Sequence, residues 1–597
     1  MGITLQKSFI PLLFACSVPS LGATEYQLSP TQFLPPTIPW QGKSEQLIMQ
    51  EPAKQTPIES SNFQTTPDYA QTIAYIEKLS AKSPLLKLSY FGHSAQGRPL
   101  PLVHVSSDFS DKNRTKLLAQ AGIHAGEIDG KDAGLMLLRD IANGDKAQLV
   151  NSVDLLFVPI FNADGHENSS MYNRVNQRGP TNMGWRSTAQ NINLNRDYAK
   201  AQSIEMQAML ALINQYQPSL YLDLHVTDGS DYQYDITYGT PQKHSYSPAI
   251  AKWFDRHYRP NLDSDLTANN HTPGPLVFAM DSKNFSKGIA GWSSTPRYSD
   301  GYGAARHLPT VLVENHSLKP YKQRVLGTYI LIESSLNIVS KHGKSLAQAI
   351  KSDAQSRPVE LALGWDYNKP SKMAFKGIAY QQFDDEISGT NQVKWLGTKK
   401  LYPELPVFDQ DIPKHVTKVP VAYWLMPEQL SAIEVLKNHG IKMEILTQPT
   451  NMALEQLMAY DESFGTSPYE GKMRALAKFN TTTQTVRLPK GTVKIPTDQA
   501  LGKLAVTLLE PMASDSLFQW GFFNTIFQRT EYIEGYAIVP LAKEMLVQNP
   551  DLAVAFKNKL ASDKDFADDP RARLAWFYQQ SPFYDRNHRR LPIMRQW

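Results

Sequence analysis

The chain has 597 residues, 41% of them hydrophobic and 20% charged, which is the composition of a globular protein large enough for about three to four domains. Its formal net charge of +4 gives no electrostatic case for a nucleic-acid partner. A single cysteine, Cys16, leaves the rest of the chain without disulfides or thiolate ligands, so any metal site must use His, Asp and Glu.

The N-terminus reads as an export signal over residues 1–23. Lys7 is followed by an apolar run from Phe9 to Val18 and by small residues up to Ala23. That run is too short to span a membrane, and no other stretch is long and apolar enough. The expected location is periplasmic or secreted. Leu13-Phe14-Ala15-Cys16 is similar to a lipoprotein cleavage box, so a lipid anchor at Cys16 is the alternative.

Residues 24–65, rich in Pro, Gln, Ser and Thr, read as an extended lead-in. Helical spacing begins at Tyr69 and runs to Leu79. Leu86–Phe91 and Leu100–Val105 read as strands, joined by a turn containing Gly92-His93-Ser94 and Gln96-Gly97-Arg98. Lys116–Ile123 is a strand ending at His124, and Gly130–Asn143 a helix. Val153–Ile160 is an apolar run suited to a strand buried on both faces. Ser203–Tyr216 is a helix. Leu220–Leu224 is a buried strand ending at His225, and Pro309–Val313 another ending at Glu314. Tyr321–Lys341 closes the unit as a long helix.

Strands alternating with helices predict an α/β fold: a mixed, mostly parallel sheet with helices on both faces over residues 66–345. Ligand crevices in such sheets lie at the carboxyl ends of strands. His124, His225 and Glu314 are each expected just past such an end. Residues 357–597 change texture and read as an additional α+β region without a chemical motif. Val419–Leu446 within it is strand, helix, strand.

His124 and Glu127, three apart after a strand, can share one tetrahedral zinc, and His225 completes a His2Glu set with an open fourth position. Asn195-Arg196 can grip a carboxylate. Glu314, at a strand end, can serve as a general base.

In order along the chain, these elements resemble the carboxypeptidase A-like zinc metallocarboxypeptidases over about residues 68–340. Asn162-Ala163-Asp164-Gly165 and the turn Gly92–Leu100 are similar to two further family segments. The resemblance implies one Zn2+ per chain on His124, Glu127 and His225. It implies a terminal-carboxylate grip by Asn195 and Arg196, and Glu314 as general base for a zinc-activated water. It also implies an arginine that binds substrate and steadies the oxyanion: Arg174, with Arg178 the competitor. The partner implied is a peptide with a free C-terminal carboxylate. The alternative is a zinc amidase or deacylase acting on a cell-wall peptide or acyl amino acid. The family's mobile tyrosine has no counterpart in Phe285–Trp292, and Tyr298 and Tyr302 come later. Asp228–Tyr238, rich in Asp and Tyr, is either a cleft wall or a solvated loop. Oligomeric state is not legible.

Overall fold

The structure is a computed structural model and describes residues 28–597. The signal-like segment and Cys16 lie outside the described residues. The central sheet takes its strands in chain order as β1 (Leu86–His93), β2 (Pro99–Val105), β3 (Thr115–Ala121), β4 (Val153–Val158), β5 (Leu220–Thr227), β6 (Ile236–Gly239) and β7 (Pro273–Pro275). Two short strands, β8 (Val277–Ala279) and β9 (Ile289–Gly291), belong elsewhere; β10 (Thr310–His316) returns to the sheet. The spatial order is β1-β2-β4-β3-β5-β10-β6-β7. The inner pairs β4/β3, β3/β5 and β5/β10 are parallel, while β1/β2, β2/β4 and β10/β6 are antiparallel. The sheet is therefore mixed, as expected.

The inner strands are buried along almost their whole length, which explains their unbroken apolar runs. One face is covered by helices Tyr69–Lys82, Asp129–Asn143 and Tyr321–Gln355. Gly134 lets the second of these lie directly on the sheet, since a Cβ there would meet the Phe157 ring at 2.1 Å. The other face is covered by helices Ile204–Tyr216 and Ser299–Arg306, and by elements from beyond residue 357.

Several strand boundaries differ from the sequence reading, and two of the differences bear on the site. β5 runs on to Thr227 and β10 to His316, so His225 and Glu314 lie inside strands rather than past their ends. The hydrogen-bond ladder continues through polar residues that hydropathy reads as a boundary. The parallel register then sets Glu314 directly beside His225.

The region after residue 357 is built on long antiparallel hairpins. Ser371–Asp385 pairs with Thr390–Phe408, and this pair joins β9 and β8 in a four-stranded sheet. Thr450–Phe464 pairs with Ala475–Leu488 within a six-stranded sheet that the final strand, Arg590–Gln596, also enters. The Asp228–Tyr238 stretch is solvated only at Asp228 and Gly229, and its Tyr234 and Tyr238 line a cavity. Tyr232 and Tyr234 are buried against Phe375 of the first hairpin. Among the described residues, no helix is long and apolar enough to cross a membrane.

Candidate functional site

His124 and Glu127 sit on the turn that follows β3, and both are buried. The turn is held from below. Asn162 accepts a hydrogen bond from the Gly165 backbone N–H and caps its short helix. Asp164 accepts from Ser94 Oγ at 2.6 Å, from the Gln96 N–H at 3.0 Å and from Arg98 Nη1 at 2.7 Å. The two glycine-bearing motifs of the sequence are thus one interlocked support beside the site.

His124 Nδ1 lies 3.0 Å from Glu127 Oε1, and His225 Nδ1 lies 3.0 Å from Glu127 Oε2. Ligand atoms of His124, Glu127 and His225 all lie within 4.8 Å of one another. Each far ring nitrogen faces an oxygen, within hydrogen-bond geometry for His124 and at ion-pair distance only for His225. His124 Nε2 lies 3.0 Å from Asn193 Oδ1, which also accepts the Asn195 N–H at 3.0 Å. The Asn193 oxygen is therefore an acceptor, His124 carries its proton on Nε2, and Nδ1 presents a lone pair toward a carboxylate oxygen. His225 Nε2 lies 2.9 Å from Asp223 Oδ2, and Gln120 Nε2 donates to Asp223 Oδ1 at 2.9 Å. Two imidazole lone pairs and a carboxylate converging in a buried space need a cation between them. Outer partners that fix each ring are the usual support of a metal-binding histidine. The donor set fits zinc.

The electrostatics agree. Burial drives the His124 imidazole down to about 4. His225 is held well above its ordinary value by Asp223 and Glu127 despite its burial. Burial pushes Glu314 up to about 8; the charge on His225 opposes this, while Glu127 and Asp223 add to it. Glu314 Oε2 is buried and has no hydrogen-bond partner among the described residues.

Arg174, in left-handed backbone at φ 56°, reaches over Gly126 to place Nη2 2.8 Å from Glu127 Oε1. A Cβ at Gly126 would meet Arg174 Cγ at 2.7 Å. Arg178 turns away: its Nε donates to the Leu318 carbonyl at 3.1 Å and its Nη2 to the Pro35 carbonyl. Asn195 is buried with Oδ1 unpartnered. Arg196 lies over the Tyr298 ring, 4.4 Å from its centroid. Tyr302 is in the core.

Sequence reasoning missed Arg186. Its Nη1 stands 3.5 Å from Glu127 Oε1 at the solvent edge of the site. Its neighbour Trp185, before the Asn191–Arg196 stretch, was the available signal. It also missed Asp223 and Asn193, whose types are ordinary until the histidines they hold are placed.

Residues 72–300 match the family model described as zinc carboxypeptidase. That match, the carboxypeptidase relatives and the buried cluster of His124, Glu127 and His225 support a zinc metallocarboxypeptidase, a hydrolase. A protein named carboxypeptidase 2 from Trichophyton rubrum is 20% identical over 452 residues, covering 72% of this chain and 78% of its own. A probable carboxypeptidase 2 from Arthroderma benhamiae is 22% identical over 456 residues, covering 71% and 80%. Among solved structures, a Burkholderia cenocepacia metallo-carboxypeptidase is similar at TM-score 0.36 and 15% identity, over 46% of this chain and 69% of its own. A Pseudomonas aeruginosa metallo-carboxypeptidase in complex with (2-guanidinoethylmercapto)succinic acid is similar at TM-score 0.35 and 15% identity, over 47% and 69%.

Proposed function

We propose that the protein removes the C-terminal residue of peptides by hydrolysis, with Glu314 as general base. The observation that carries this is the parallel register that sets Glu314 beside His225, with a buried carboxylate oxygen free to take a proton. Zinc held by His124, Glu127 and His225 supplies a Lewis acid and makes water acidic enough to react at neutral pH. Glu314 Oε2 accepts the proton of the attacking water and returns it to the leaving amine. Arg174 and Arg186 converge on the Glu127 edge of the site, where a guanidinium can steady the negative oxygen of the tetrahedral intermediate. Arg174 is the deeper of the two and Arg186 the more exposed. Asn195 and Arg196 hold the substrate's terminal carboxylate, which confines cleavage to the last bond. An Asn195-Arg196 pair able to grip a free carboxylate favours this reading over an amidase. Export to the periplasm or beyond is part of the proposal and rests on residues 1–23.

Peptides with free and amidated C-termini separate the two readings. Free ends alone should be cleaved, and equal hydrolysis of both overturns the carboxypeptidase assignment. Glu314→Gln should lower kcat by about 10²–10⁴-fold while zinc content stays at wild-type level. Retained turnover removes Glu314 as the base.

A further inference from the structure

The region beyond residue 357 reaches into the site. The loop between strands Thr450–Phe464 and Ala475–Leu488 places Glu470 where its Oε2 accepts the Asn193 backbone N–H at 3.1 Å. Asn193 is the residue that holds His124. The same loop closes a cavity of about 600 Å³ whose catalytic-side walls include Trp292, Arg297 and Tyr298, and whose far walls include Phe464 and Arg474. Tyr298 carries Arg196 on its ring, so the cavity adjoins the proposed carboxylate grip.

The charges around this cavity do not balance. Arg297 is matched by Asp515 at 2.7 Å, and Lys200 by Asp197 at 2.6 Å. Arg196, Lys472 and Arg474 have no carboxylate ion pair among the described residues. Arg474 Nη2 donates only to the Ser514 carbonyl at 2.7 Å and to Gln519 Oε1 at 3.0 Å. Its guanidinium lies 5.0 Å from the Trp520 ring, beside Arg297. Burial and then Arg297 lower the Arg474 guanidinium, and burial and then Lys200 lower Lys472; the carboxylates that oppose this, Asp515 and Asp197, are already paired with Arg297 and Lys200. Glu470 is the nearby carboxylate left over, and it already accepts a backbone N–H. One anion, the substrate's terminal carboxylate, answers Arg196. A second is still wanted.

We propose that this cavity binds an acidic side chain on the substrate's C-terminal residue, with Arg474 as its main partner, so that peptides ending in glutamate or aspartate are preferred. The inference rests on the carboxypeptidase reading and adds the substrate class. It also gives the C-terminal region a role: it completes a specificity pocket that the matched family segment does not close alone.

The test uses the full-length zinc-loaded protein and N-acylated dipeptides that differ only in the last residue. Glutamate should exceed glutamine in kcat/KM by at least about tenfold, the scale of one charge-assisted hydrogen bond. Arg474→Gln should bring that ratio toward one, and Arg474→Lys should keep part of it. If Arg474 variants do not fold, Ser463→Asp, which sets a carboxylate in the cavity wall, should still lower the ratio. Equal wild-type rates on the glutamate and glutamine peptides, with both cleaved, overturn this inference alone. An Arg474→Gln protein that loses both by the same factor overturns the assignment to Arg474. No turnover of any peptide overturns the carboxypeptidase reading and this inference with it.

Discussion

Cutting the chain at residue 356 would remove the whole region beyond the α/β unit, and the structure says that the remainder will not fold. Helix Ile204–Tyr216 covers one face of the sheet, and Met206, Met209, Leu210 and Ile213 are buried on it. They share one core with Tyr246, Tyr302, Leu425, Leu436, Leu504 and Leu508. Tyr246 packs on Trp365 at 5.3 Å, and Tyr302 OH lies 3.0 Å from His439 Nδ1. Burying such a side chain is worth ~1.5–3 kcal/mol. Uncovering half of the area of the six on the catalytic side costs about 5–9 kcal/mol. Losing Asp515 also strands Arg297, whose backbone N–H and guanidinium it accepts at 2.9 and 2.7 Å. Breaking a buried pair from one side costs ~3–5 kcal/mol. The total is about 8–14 kcal/mol against a typical net stability of about 5–15 kcal/mol. The assay compares residues 28–356 with residues 28–597 by solubility, circular dichroism and urea unfolding. A soluble fragment with a cooperative transition and zinc bound at wild-type affinity would refute the reasoning.

Three further outcomes follow from the site and its surroundings. In the metal-free protein at pH 7, His225, held well above its ordinary value, and Glu314, pushed to about 8, both carry protons. Zinc must displace the His225 proton, so binding should release at least about one proton and weaken as pH falls; titration calorimetry in buffers of different ionisation enthalpy reads this, and buffer-independent heats would count against it. Gly126→Ala should crowd both Arg174 and the Gly184 carbonyl and lower kcat/KM by about tenfold or more; an unchanged kcat/KM would show that the placement of Arg174 is idle. The third concerns acid. Burial lowers His166 and His439 to about 4 and His307 to about 3. The unfolded chain takes up protons near 6.5 while the folded one does not, so stability is full above pH 6.5 and falls toward pH 4, by on the order of 3 kcal/mol per histidine. Melting temperature against pH should decline over that range, and His439→Gln should flatten part of the slope.

The His124–Glu127 pair and the alternation of strand and helix were legible in the sequence because each is written locally. Apolar runs of strand length mark strands buried on both faces, and His124 with Glu127 share one turn. Which side of His225 a base stands on is not local. It follows from β5 and β10 lying parallel in register, and hydropathy ended both strands early because their last residues are polar. The choice between Arg174 and Arg178 was likewise left to packing: the two are four residues apart, and only the course of the loop over Gly126 sends one to Glu127 and the other to the Leu318 and Pro35 carbonyls. The region after 357 looked chemically silent because Glu470, Lys472 and Arg474 are ordinary surface types on a hairpin loop. They gain meaning only where a strand pairing between residues 450 and 488 carries that loop to Asn193, a contact across 277 positions of sequence that no local pattern encodes.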